Sequence, residues 1–269
     1  MTRIWLITGG SSGLGQAIAE AALQAGDTVV ATARRPEAVP AALHPVSLDV
    51  THTARIAAVV DEVIERFGRI DVLVNNAGRA LIGAVEETTD RELRDLMEVH
   101  FFGPAALTRA VLPHMRARRS GAIVQVSSMG GRMSFPGVSA YSATKFALEG
   151  LSESLAAEVE PFGISVLIVE PGAFRTGLQS GTMRMSAELP AYADIVGPVR
   201  ASMREVDGNQ PGDPAKAAAA IIAALDAEHP PLRLPLGADA ADAISVRSDR
   251  DRADFAAWES VIRGTDFDS

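Results

Sequence analysis

Residues 4–15 read IWLITGGSSGLG: an apolar run, a glycine-rich turn, then a helix-period segment that continues to Gly26-Asp27. This succession constrains the chain most, because glycine lets a backbone turn sharply and approach other groups where a Cβ would intervene. The same alternation recurs along the chain. Runs at 3–7, 28–32, 46–48, 71–74, 122–126 and 164–169, with a seventh near 232–236, are separated by longer segments of helical period. Their continuous, β-branched character suits strands covered on both faces, and strand–helix alternation makes the sheet parallel. Glycine ends the first helix near residue 25, and Asp213-Pro214 pairs an N-cap residue with proline at the first helical position of a later one.

With 269 residues, 47% of them hydrophobic, a large core can be buried in one domain. The expected architecture is therefore α/β: a doubly wound, Rossmann-type single domain over 1–269, with about seven parallel strands flanked by helices. The absence of cysteine excludes disulfides and thiolate metal sites and suits a reducing cytoplasm. A formal charge of −9 argues against a nucleic-acid partner, and Arg116, Arg118 and Arg119 read as a solvated helix end. The run at 4–7 is too short to cross a bilayer and lacks the form of a signal peptide, so no membrane partner is expected. Residues 177–210 are the least regular, with Met183, Met185, Leu189, Tyr192 and Ile195 among Gly, Pro and Ser. They read equally as a cover over the sheet and as a mobile apolar substrate lid. Residues 240–269 form a C-terminal extension.

The turn itself, Thr8 to Gly15, has the spacing T-G-x-x-x-G-x-G. Gly9, Ser11, Ser12, Gly13, Leu14 and Gly15 would let backbone N–H groups at a helix N-terminus meet a pyrophosphate. Alone, such a turn also serves as an ordinary strand–helix connection. About twenty residues on, where a carboxylate would bond the ribose 2′-OH of NAD, the chain reads ATARRPE. Arg34 and Arg35 stand there instead, and a guanidinium matches a 2′-phosphate. The expected cofactor is NADP(H), with Arg34 the main contact and a hydroxyl from Ser12 in support.

YSATK places Tyr141 and Lys145 on one helix face, a pattern that alone is commonly a surface pair. Here Ser128 lies thirteen residues upstream, at the end of IVQVSS. Ligands in open parallel sheets gather at the carboxyl ends of strands, so three groups able to handle a carbonyl oxygen converge on one edge. A free tyrosine titrates at about 10, too high for ready proton exchange at neutral pH. A nearby ammonium and a cationic nicotinamide are expected to pull that value down, letting Tyr141 protonate a ketone oxygen while Ser128 holds it. Lys145 would also anchor the nicotinamide ribose.

TGGSSGLG, NNAG at 75–78, Ser128 with YSATK, and PGAFRT at 171–176 together resemble the short-chain dehydrogenase/reductase family, over roughly residues 3–236. The resemblance implies that Asp49 and Val50 hold the adenine. It implies that Asn76, Ala77 and Gly78 stabilise the strand beside the cofactor. Pro171, Gly172, Phe174 and Thr176 would border it, Thr176 on the carboxamide. The ARR turn and PLGADA at 235–240 resemble the branch of hydroxysteroid-dehydrogenase-like and related carbonyl reductases. The implied activity is reversible, NADPH-dependent reduction of a medium-sized hydrophobic ketone, by a homodimer or homotetramer acting on a small-molecule carbonyl or alcohol. A non-catalytic NADP sensor, or an epimerase or dehydratase using the same Tyr-Lys pair, are the rival readings.

One position departs from the family, whose catalytic tetrad has an asparagine where this chain has His100. Thr89 and Glu92 form a capping-box start for its helix, and Leu93, Met97, His100, Pro104, Leu107 and Val111 share a stripe, which turns His100 inward. Pro104 has no N–H for the carbonyl of His100, so a kink is expected. In the family that carbonyl holds a water linked to the catalytic lysine. Three roles stay open for the imidazole: support of this kink and relay, inert packing, or direct proton exchange. No metal is expected, since no second His or carboxylate lies at ligand spacing.

Steady-state kinetics checks the cofactor expectation. At low concentration NADPH should sustain turnover where NADH does not; equal rates with both would remove Arg34 as a phosphate contact.

Overall fold

The computed structural model describes residues 2–267. Seven strands form one parallel sheet: β1 (Ile4–Thr8), β2 (Thr28–Ala33), β3 (Val46–Ser47), β4 (Val72–Asn75), β6 (Gly121–Val126), β7 (Ile164–Pro171) and β9 (Arg233–Leu236). Their spatial order is β3-β2-β1-β4-β6-β7-β9. Every run read as a strand is present. A second, two-stranded parallel ribbon joins β5 (Leu81–Ile82) to β8 (Arg184–Met185). Neither was foreseen, because two residues are too few to show a period.

Strand alternation divides the core into two layers. Trp5 and Ile7 of β1, Val29 and Ala31 of β2 and Val72 and Val74 of β4 face α1 (Gly13–Gln24) and α7 (Pro214–Leu225). Leu6, Val30 and Leu73, one step out of phase, face α2 (Ile56–Phe67), α4 (Gly103–Arg118) and α5 (Ser139–Val159). Both faces are apolar because both are covered, and each fully buried large side chain contributes roughly 1.5–3 kcal/mol.

The helix ends follow local chemistry. Gly26 beyond α1 takes φ +87°, which favours glycine. Asp213 caps α7 by accepting from the Ala215 N–H at 2.8 Å. At α3 (Asp90–Met97) the Thr89 hydroxyl accepts from the Glu92 N–H, and Glu92 accepts from the Thr89 N–H at 2.8 Å.

Between α3 and α4 the helix widens into a π turn, Glu98–Phe102, closed by the Gly103 N–H bonding to the Glu98 carbonyl. Here lies the irregularity expected from Pro104. An extra residue in one turn rotates the apolar stripe by about 100°. The stripe therefore enters the core through Leu96, which is buried, while Leu93 is exposed. His100, Pro104, Leu107 and Val111 are buried as expected.

Residues 177–210 contain a π turn at Leu178–Thr182, then β8 and α6 (Ala193–Glu205). Met183, Met185 and Tyr192 pack with Ile82, Ala84, Val138 and Val196 in a satellite core. Beneath it the carboxylate of Glu87 meets the guanidinium of Arg200 at 2.8 Å, both side chains almost fully buried. Glu87 also accepts from the N–H groups of Leu189 and Ala84, at 2.9 and 2.7 Å. Arg200 donates to the Ser186 carbonyl at 3.0 Å.

Of the extension expected over 240–269, residues 268–269 lie outside the described residues. Most of it is α8 (Ala238–Arg263), whose side chains are largely exposed beyond the buried Ala240. Among the described residues no helix is long and apolar enough to cross a membrane.

Bonds from Leu189 and Ala84 hold the Glu87 carboxyl below the usual carboxylate range, against burial and with help from Arg200. Its contribution is complete above the ordinary value of 4.5 and is lost as pH falls through the lower folded value. Glu87→Ala, which leaves the buried Arg200 only the exposed Glu188 at 3.2 Å as counter-charge, should cost about 3 kcal/mol in urea unfolding at neutral pH. A loss below about 1 kcal/mol would show the pair to be incidental.

Candidate active site

β1 sits between β2 and β4, and the chain winds outward from them in opposite directions. Beyond their carboxyl ends lies a cleft of about 850 Å³. Gly9 and Gly13, which border it, take φ +67° and +57°. Ser12 precedes α1 in an extended conformation and its hydroxyl makes no capping bond, so that hydroxyl and the first-turn N–H groups remain for an anion. A Cβ on Gly13 would come within 3.1 Å of the Thr176 side chain. Ser11 and Leu14 line the same wall.

Thr8 and Gly15 do not line the cleft; they build it. The Thr8 hydroxyl accepts from the N–H groups of Asn76 and Ala77, both at 3.0 Å. The Asn76 amide returns a bond to the Thr8 carbonyl at 2.9 Å. A Cβ on Gly15 would sit 2.3 Å from that amide nitrogen. Asn76, Ala77 and Gly78 border the cleft directly.

At one end of the cleft Arg34 stands with Asp49 and Val50, whereas Arg35 is not part of the lining. Asp49 accepts from the Thr51 N–H and hydroxyl at 3.0 and 2.8 Å. Burial works to raise its pKa, but these bonds hold it below the usual carboxylate range. Two further arginines enter the lining that the sequence reading missed, Arg79 and Arg184. Arg79 follows NNAG directly and donates to the Asp95 carbonyl at 2.6 Å. Arg184 arrives through the β5–β8 pairing, which left no mark in the sequence pattern.

At the other end Ser128, Tyr141 and Lys145 line the cleft with Pro171, Gly172, Phe174 and Thr176. Ser128 follows β6 and accepts from the Gly130 N–H at 3.0 Å, leaving its proton to donate. Lys145 is buried and donates to the Val126 carbonyl at 2.8 Å. Its nitrogen lies 5.8 Å from the Tyr141 ring centre. Burial alone pushes the Lys145 ammonium down to about 7. It also pushes the Tyr141 phenol up, against a hydrogen bond from Ser128. The expected lowering of Tyr141 is therefore not a property of the protein by itself. Burial penalises the charged form of both groups.

His100 is fully enclosed, edge-on to Tyr141 with ring centres 5.5 Å apart. Its Nδ1 meets the Thr144 hydroxyl at 2.8 Å, and that hydroxyl donates to the Tyr141 carbonyl at 2.7 Å. With its one proton committed, Thr144 accepts from Nδ1–H. Nε2 then carries the lone pair that accepts from the Arg79 N–H at 3.2 Å. The ring is thus a neutral tautomer with both nitrogens occupied. Burial, then the charges of Lys145 and Arg79, hold its pKa well below the usual value. Among the described residues no cluster of three His, Asp or Glu could hold a metal ion.

A family model for short chain dehydrogenases matches residues 3–186. The crystal structure of a short-chain dehydrogenase from Streptomyces avermitilis is 59% identical and superposes with a TM-score of 0.94, over 99% of this chain and 100% of the other. The 3-ketodihydrosphingosine reductase of Bacteroides thetaiotaomicron is 38% identical over 239 residues, 87% of this chain and 88% of the relative. A Burkholderia cenocepacia short chain dehydrogenase in complex with NADP is 26% identical, with a TM-score of 0.75 over 95% of this chain and 97% of the other.

The locked tautomer has a spectroscopic signature. In nitrogen–proton correlation spectra His100 should remain the Nδ1–H form across about pH 6 to 8, where free imidazoles titrate. A transition near its ordinary value would show that Nε2 is open to protons.

Proposed function

The chain belongs to the short-chain dehydrogenase/reductase family, and from that premise we propose that it reduces a ketone to a secondary alcohol with NADPH, reversibly. One observation carries the reading. Ser128, Tyr141 and Lys145 line the same cleft as the glycine cradle and Arg34. The residues present fit a phosphorylated dinucleotide. Gly9 and Gly13 take conformations that favour glycine, the Ser12 hydroxyl is uncapped, and no carboxylate occupies the place of Arg34. Arg34 would bind the 2′-phosphate, Ser12 and the start of α1 the pyrophosphate, Lys145 the nicotinamide ribose and Thr176 the carboxamide. When bound, the reduced nicotinamide supplies hydride to the carbonyl carbon.

The protein's own groups manage the oxygen. The substrate oxygen takes the place of Tyr141 as acceptor for the Ser128 proton. Tyr141 gives its phenolic proton to the same oxygen as charge develops there. The phenolate left behind favours the protonated form of Lys145, which sits close enough to stabilise it and is itself balanced near neutrality. His100 takes no proton in this scheme. It ties the backbone of Arg79 to Thr144 and so to the carbonyl of Tyr141.

The substrate side of the cleft is bordered by Phe174, Leu178 and Met183, which suits a medium-sized hydrophobic ketone. The Bacteroides relative, named 3-ketodihydrosphingosine reductase, supports a ketone as the substrate. We place the protein in the cytoplasm as a homodimer or homotetramer.

Loss of NADPH absorbance with a panel of aliphatic, aromatic and steroid-like ketones tests the proposal. Turnover should appear with at least one of them. Tyr141→Phe should lower kcat by roughly 10²–10⁴ while leaving NADPH binding intact. Tight NADPH binding without turnover of any ketone would favour a cofactor sensor.

A further inference from the structure

Behind the catalytic groups lies a buried ionic network that the chemistry does not use. The carboxylates of Glu149 on α5 and Glu170 on β7 are both almost fully buried. Arg233 of β9 pairs with both, meeting Glu170 at 2.9 Å, and reaches Glu153 at 2.7 Å. Arg132 adds a bond to Glu170 at 3.2 Å. Glu149 lies one helical turn beyond Lys145, and its other oxygen accepts from the Ser127 hydroxyl at 2.6 Å. Ser127 is the residue before Ser128.

The loop is held there closely. A Cβ built on Gly131 would fall 2.6 Å from both the Glu149 carboxylate and the Ser127 hydroxyl. So the backbone three residues after Ser128 is pressed against the side chain of Glu149. Consecutive serines divide the work: one faces the reacting oxygen, the other grips the helix that carries Tyr141 and Lys145. Arg233 anchors the Glu149 carboxylate from the far side, so that its position does not depend on the loop.

We propose that Ser127 and Glu149 are positioning residues, which fix the distance between Ser128 and the Tyr141–Lys145 face of α5. Neither touches the substrate. A displacement of Ser128 by a fraction of its hydrogen-bond length is enough to slow a reaction that needs two donors on one oxygen. This inference rests on the reductase reading for its kinetic consequence, but not for its structural one.

Two variants separate positioning from stability. Ser127→Ala removes the grip and leaves the Glu149–Arg233 pair intact. It should lower kcat about tenfold, keep KM and NADPH affinity within about twofold, and speed hydrogen exchange at the Gly130 and Gly131 amides. Glu149→Gln keeps an oxygen for Ser127 but forfeits the ion pair. It should lower the melting temperature, and lower kcat by less than Ser127→Ala does. Unchanged kcat and unchanged loop exchange in a folded Ser127→Ala protein would overturn the proposal, as would a Glu149→Gln protein as slow as Ser127→Ala. The exchange measurement needs no substrate. If the unaltered protein turns over no ketone, the reductase reading fails and the amide rates of Ser127→Ala still decide this one.

Discussion

Two neighbouring parallel strands whose crossovers leave to opposite sides of the sheet must open a crevice where they part. Everything functional in this protein depends on how that gap between β1 and β4 is held. The Thr8 hydroxyl spans it by accepting two backbone N–H groups from the turn after β4, and Asn76 answers with its amide. The glycines are consequences of this closure as much as of any ligand. Gly15 is needed because α1 must start against Asn76, and Gly13 because the chain faces Thr176 at close quarters. The cradle is therefore rigid before a dinucleotide arrives, which reduces the ordering cost of binding it.

Much of this was legible in the sequence, for physical reasons that differ by element. The seven sheet strands announce themselves because burial on both faces forces continuous apolar runs. The capping box at Thr89 and Glu92 and the Asp213 cap are local chemistry, readable wherever the residues occur. Ser128, Tyr141 and Lys145 were recoverable because their spacing places them on a strand end and one helix face. What escaped was non-local. β5 and β8 are two residues each, and Glu87 and Arg200 lie more than a hundred positions apart. Arg184 enters the cleft only because of that ribbon, while Arg35, adjacent to Arg34, falls outside it. Burial raises the Tyr141 phenol in the protein by itself, a contribution that a spacing argument does not count, whereas the expected lowering includes a cationic nicotinamide.

His100 stands where the family has an asparagine, and it can present the same two kinds of hydrogen-bonding group. An asparagine offers a donor and an acceptor, and a neutral imidazole in a fixed tautomer offers the same two in a longer, flatter frame. Here the donor meets Thr144 and the acceptor meets the Arg79 backbone. The space that the larger ring requires is bounded by Gly78, where an added Cβ would lie 3.1 Å from Nε2. Both ring nitrogens are occupied in this arrangement. The π turn beneath it, rather than a simple bend, absorbs the proline that follows.

The two-residue ribbon of β5 and β8 has a mechanical meaning. It fastens one edge of the segment over the cleft to the turn that follows the cofactor wall, while the ion pair of Glu87 and Arg200 fastens the helix beyond it. The segment is thus tied to the body of the protein at two separate places. Ahead of the rib, Gly177, Leu178, Gly181, Thr182 and Met183 border the cleft. An exchange confined to those positions would change the wall of the cleft and leave both fastenings untouched.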